Sequence, residues 1–111
     1  MKKTLLILIS LLLIAFLAMT GCQQTAVTSA KVYMQQENYD KAIEQAKKAV
    51  ETMPNDAEAY YILGLAYGKK GMYKEMNEAF TNSLKYSDLH KTDIDHERKI
   101  YWVRIFNTGV N

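Results

Sequence analysis

A recurrence of about 34 residues constrains this chain more than any other feature. Tyr33 returns as Tyr67 and Tyr39 as Tyr73, and the small residue three positions before each first ring is Ala30 and then Gly64. A unit of that length is one helical hairpin, which cannot bury its apolar face alone and must stack on its neighbours. The expected fold class is therefore all-α: antiparallel helical hairpins stacked as a short solenoid. Such an array offers an extended surface, so the chain is read as a binding protein and not as an enzyme.

The pattern places about five helices after an N-terminal segment. Val27, Ala30, Tyr33 and Met34 form one stripe, which Glu37-Asn38 interrupts. Asn38 is the expected N-cap of a second helix, in which Ala42, Ile43, Ala46, Ala49, Val50 and Met53 recur at three and four and charged residues take the other face. Pro54 stops it. Asn55, with Glu58 three positions on, has the form of a capping box for a third helix opening near Ala57. Lys69, Lys70 and Gly71 close that helix, the glycine accepting a left-handed turn. A fourth runs from about Met72 to Tyr86, and a last one, capped by Thr92, carries Ile94, Ile100, Tyr101, Trp102, Ile105 and Phe106. A helical apolar stripe containing Tyr101 and Trp102 favours burial of both rings over an interfacial anchor.

The first residues follow a different rule. Lys2 and Lys3 precede an apolar run from Leu5 to Met19 broken only by Ser10. Such a run is short for a bilayer crossing, which needs roughly 20 helical residues, and suits the apolar region of an export signal. Met19-Thr20-Gly21-Cys22 follows, and small residues before a lone cysteine at this place resemble the lipobox of bacterial lipoproteins. Methionine at the third position before the cysteine departs from the usual leucine. The resemblance implies cleavage before Cys22 and lipidation of that residue, hence a lipid-anchored protein of the bacterial cell envelope. Gln23 after the cysteine is compatible, by resemblance, with the outer membrane. The domain reading is thus 1–21 signal peptide, 22–25 lipidated cysteine and short tether, and 26–111 helical-repeat domain.

Charge removes one class of partner. The chain has 14 Lys+Arg against 12 Asp+Glu, and without Lys2 and Lys3 the two counts are equal at 12. No basic stripe remains to neutralise a run of phosphates, so nucleic acid is not expected. Cys22 is the only cysteine, which rules out an intrachain disulfide. His90, Asp93, His96 and Glu97 do not have a metal-site spacing and are read as solvated polar groups; no metal or cofactor is expected.

Repeats at about 23–56 and 57–90 resemble tetratricopeptide repeats, the positions that carry the likeness being Ala30, Tyr33, Tyr39, Ala42, Ala49 and Pro54, then Gly64, Tyr67, Tyr73 and Phe80. Ala46, Met76, Ser83 and Asp88 depart from the family's preferences. In that family the first helix of each hairpin lines the concave side. The resemblance therefore implies a partner-binding groove at Val27, Lys31, Met34 and Gln35, then Glu58, Tyr61, Leu65, Gly68 and Lys69, taking a protein or peptide ligand. Lys31 and Leu65 stand where chaperone-binding members carry asparagine, so that activity is not transferred. The Gly64-x-x-x-Gly68 spacing is read as close packing within the hairpin.

The final helix, about 92–109, is expected to open a further, truncated repeat with Gly109 in the small-residue place. Gly109 falls later than one period after Gly64, which requires an insertion in the connection and suggests a piece of a longer repeat protein. The favoured function is a membrane-anchored adaptor or scaffold; the alternative is a self-associating structural subunit of an envelope assembly, a homo-oligomer without a free groove.

Overall fold

The computed structural model describes the backbone of residues 1–107 and the side chains of 1–16 and 26–107. It contains five helices: α1 (Lys2–Gln35), α2 (Tyr39–Thr52), α3 (Ala57–Lys69), α4 (Tyr73–Tyr86) and α5 (Lys91–Asn107). No strand occurs among the described residues. α1 pairs with α2 and α3 with α4 as two antiparallel hairpins, α3 packs on α2, and α5 lies against α3 and α4.

Local chemistry sets the boundaries. Asn38 caps α2, its Oδ1 accepting from the Lys41 N–H. The turns inside the two hairpins are equivalent: Glu37 has φ 58° and Gly71 has φ 75°, and the two stand one full period apart. Glycine suits that left-handed conformation and glutamate is strained in it. α3 begins at Ala57 as expected, but its cap is Asp56, whose Oδ1 accepts from Glu58 N at 2.9 Å and Ala59 N at 3.4 Å. Asn55 lies one residue too early to reach those donors. α5 likewise starts at Lys91, whose N–H donates to the Asp88 carbonyl, so Thr92 sits within the first turn and is not the cap.

The core alternates small and large residues. Ala30, Ala42, Ala46, Ala49, Ala59 and Ala66 are almost wholly buried, and Met76, Phe80, Ile94 and Tyr101 fill the space they leave. A Cβ on Gly64 would collide with the Phe80 ring, and one on Gly68 would stand 2.8 Å from both the Met76 sulfur and the Tyr101 ring. These glycines let α3 take α4 on one side and α5 beside it, the close-packing role expected of the pair.

Three expectations at the chain's two ends are corrected. First, α3 and α5 begin one full period apart, with Tyr101 in the place of Tyr67, so α5 continues the recurrence without an insertion. Arg98, and not Gly109, stands in the small-residue place; Gly109 itself lies outside the described residues. Arg98 turns back onto α4, its Nε donating to Asn77 Oδ1 at 3.2 Å and Nη2 to Thr81 Oγ1 at 3.0 Å. Second, Tyr101 is buried but Trp102 is 65% exposed, stacked on the similarly open Phe106 with ring centroids 5.4 Å apart. The helix is too narrowly held for both: the buried line passes through Ile94 and Tyr101, two turns apart, and one further residue rotates Trp102 by about 100° toward solvent. Third, α1 runs helically through residues 22–25, which the sequence reading makes a tether.

The first part of α1 takes no part in the core. Leu5 to Phe16 present their large apolar side chains to solvent, and among the described side chains the buried cluster begins at Val27. Among the described residues no helix is long and apolar enough to cross a membrane.

Candidate functional site

The first helices of the hairpins, α1 and α3, with α5 beside them, carry the residues expected to line a groove. Asp56 and Gly71 fix the two ends of α3, and the Gly64–Phe80 and Gly68–Met76 contacts fix its rotation, so the side chains left on its open side are determined by packing elsewhere.

Lys31 and Glu58 meet across α1 and α3 in an ion pair of 2.5 Å, with both side chains about half exposed. Beside them is a shallow cleft of about 380 Å³ lined by Val27, Thr28, Lys31, Met53, Asp56 and Glu58. Val27 is part of the core and only edges this cleft. Met34 and Leu65 are half-buried and lean on the core, and Gln35 and Lys69 are exposed. Gly68 is not a groove position: Tyr101 and Met76 close over it.

Tyr61 has the most developed surroundings. Its ring lies flat on His90 at 4.1 Å, with a 6° angle between planes, and Phe80 follows at 6.1 Å. Burial, then the carboxylates of Asp93 and Glu97, push its hydroxyl above its ordinary titration range. Tyr101 is displaced the same way, first by burial and then by Glu97, with Arg104 opposing. The His90 ring is therefore a packed partner of Tyr61 and not the solvated group expected; its Nε2 is buried without a hydrogen-bond partner among the described residues.

The structure thus joins Lys31 to Glu58, and adds His90, Asp93 and Glu97 to Tyr61. Sequence reasoning missed these additions because it placed α5 in a different phase. The Tyr33–Tyr67–Tyr101 series was the available signal, since continuing the period puts His90 in the place of Asp56 and α5 alongside α3. What results is a strip of side chains with an internal ion pair at one end, an aromatic and acidic centre, and Lys69 at the far end. It offers side-chain contacts to a polypeptide and no arrangement of nucleophile and base.

Comparison with known proteins agrees with the geometry. A family model described as TPR repeat matches residues 30–71, and another described as tetratricopeptide repeat matches residues 57–88. Among curated proteins, the chain is similar to the BBSome complex member BBS4 of Bos taurus, 39% identical over 62 residues, which is 56% of this chain and 12% of that protein. It is also similar to Superkiller protein 3 of Schizosaccharomyces pombe, 32% identical over 82 residues, which is 74% of this chain and 5% of that protein. The chain spans a small fraction of these relatives' lengths. No solved structure matches it.

Proposed function

Residues 30–88 of this chain are tetratricopeptide repeats, and from that premise we propose that it is a lipid-anchored adaptor of the bacterial cell envelope. Repeats of this kind make a protein-interaction module, and proteins built of them are generally scaffolds and not enzymes. The membrane attachment and the envelope location are our own reading.

One observation carries the anchored reading: among the described side chains the buried core starts at Val27, just beyond Cys22, while the apolar run of residues 5–16 is exposed. Removal of everything before Cys22 would leave every buried contact among the described side chains in place. The register supports the same cut, because Cys22 stands one full period before Asp56, the cap of α3, and so occupies the equivalent place ahead of the first repeat helix. Lys2, Lys3 and Gly21 complete the pattern. Several acyl chains on one residue would hold the domain firmly, since a single chain gives only marginal attachment.

The partner-binding surface in this proposal is the strip of Lys31, Met34, Gln35, Glu58, Tyr61, Leu65 and Lys69, and its ligand is a polypeptide segment. The first relative's description as a complex member is in keeping with a scaffold. Intact mass measurement of protein extracted from membranes tests the anchor: the expected species lacks residues 1–21 and carries lipid on Cys22. An uncleaved chain, or a bare thiol, overturns it. Capture of bound protein by the wild type, set against Tyr61→Ala and Lys69→Glu, tests the strip; equal capture by all three would move the interface elsewhere.

A further inference from the structure

The loops that join one hairpin to the next, 53–56 and 87–90, lie at the end of the stack where α1 enters it. The helices alternate in direction, so the Glu37 and Gly71 turns share the opposite end. Four contacts fix the arrangement. Val27 and Thr28 line one cleft with Met53 and Asp56, and Ser83 donates to the Ala57 carbonyl. The Tyr60 and Tyr86 rings stack at 5.9 Å, and His90 lies on Tyr61. Cys22, Asp56 and His90 follow one another at one period, which puts them at about the same level along the helix axes.

Leu89 stands out from this end. It is 79% exposed, and none of the described large apolar side chains from Val27 onward is more open. The loop holds it there: its N–H donates to Ser87 Oγ at 3.1 Å, the Lys91 N–H donates to the Asp88 carbonyl at 3.0 Å, and the next ring, His90, is packed on Tyr61. Asn55, one period earlier, is exposed at the tip of the other loop beside exposed Pro54. Asp56 and Asp88 face Lys85 and Lys91 in number, so this end has no excess of one sign to select a charged partner.

A single exposed leucine is ordinary on a protein surface. Its place is what matters, because attachment to a membrane enters the stack here by either route. Lipid on Cys22 would bring this level of the stack to the headgroups. In a chain that keeps residues 1–21, α1 is one helix through residue 22, so the apolar residues Leu5 to Phe16 leave by the same end. We infer that the 53–56 and 87–90 loops rest on the phospholipid surface, with Leu89 at the boundary between headgroups and acyl chains and the repeat helices upright on it. The inference rests on the anchored reading and adds the orientation: the anchor holds the domain at the bilayer, and Leu89 decides which end meets it. Of the strip residues on α3, Glu58 is then nearest the lipid, and Lys69 stands farther out by most of the helix length of about 20 Å.

Protein extracted from membranes, its mass recorded, would be placed in phosphatidylcholine vesicles containing nitroxide-labelled lipid. With Cys22 blocked by lipid, Asn55→Cys and, separately, Lys74→Cys each offer one thiol for an environment-sensitive fluorophore; Lys74 is exposed beside the opposite turn. A blue shift and quenching are expected at position 55, and neither at position 74. Leu89→Asp should lower the ratio of seated to free loops, read from the quenching at 55, by about 10-fold, with the helical circular dichroism unchanged. Water-like emission at 55, or equal quenching at both positions, overturns the inference, and unchanged quenching in Leu89→Asp overturns the part given to Leu89. A blue shift at 55 that follows protein concentration without lipid also overturns it, assigning the end to a second copy. Failure of the Cys22 reading appears separately, in the mass: for an uncleaved chain with a bare thiol, the fluorophores go into the Cys22→Ala form, and the same readings at 55 and 74 decide.

Discussion

Gly64 lies against the Phe80 ring so closely that no side chain fits between them, and this contact sets how near α4 comes to α3. Gly64→Ala should therefore destabilise the fold although alanine is the better helix former. The propensity gain of up to about 1 kcal/mol is outweighed by an overpacking cost of about 1–3 kcal/mol, because a ring packed on all sides cannot retreat. Urea unfolding followed by circular dichroism reads the difference. Gly64→Ala with Phe80→Leu should recover part of the loss.

Glu37 and Gly71 hold the same left-handed turn in successive hairpins, and only one of them is a glycine. Glu37→Gly should raise stability by about 1 kcal/mol, since the substitution relieves a conformation that costs a residue with a Cβ roughly that much. A higher urea midpoint with an unchanged slope is the expected signature.

Asp56, and not Asn55, caps α3. Asp56→Ala should cost about 1 kcal/mol, while Asn55→Ala should be near neutral. Equal losses from the two would contradict the hydrogen bonds that Asp56 makes to Glu58 and Ala59.

Ser83 is fully buried on α4 and donates to the Ala57 carbonyl at 2.7 Å, tying the end of one hairpin helix to the start of the other. Ser83→Ala removes the donor from a carbonyl that remains in the first turn of α3. A loss of about 1 kcal/mol is expected, measurable in the same unfolding experiment.

The hydroxyls of Tyr61 and Tyr101 both titrate above the ordinary tyrosine value of 10.0, principally through burial. The folded state thus keeps these protons where the unfolded chain releases them. Their contribution is fully present below about pH 10 and is lost as pH rises through the higher folded-state values. Stability should fall across this alkaline range, and Tyr61→Phe and Tyr101→Phe should each flatten the decline while preserving the ring contacts. Denaturant midpoints on either side of about pH 10 measure it.

The strip of side chains around Tyr61 was only partly legible beforehand. Lys31, Glu58, Tyr61 and Lys69 fall on the open side of α1 and α3 because helical spacing and the small residues opposite them fix which way those helices face. His90, Asp93 and Glu97 belong to the neighbourhood of Tyr61 only because α5 stacks in phase, and no local pattern announces that. The Arg98 side chain concealed the phase: a residue that size in a place where Ala30 and Gly64 are small reads as a break in the repeat, whereas it folds back onto Asn77 and Thr81.

By itself the sequence determined the helices, their turns and the pairing of small residues with rings, because these follow from near-neighbour sterics and from a regular recurrence along one chain. Only the tertiary structure decided the phase of α5, the burial of Tyr101 and the exposure of Trp102. Adjacent residues on one helix differ by about 100° in direction, and which of them is covered depends on where α3 and α4 happen to stand.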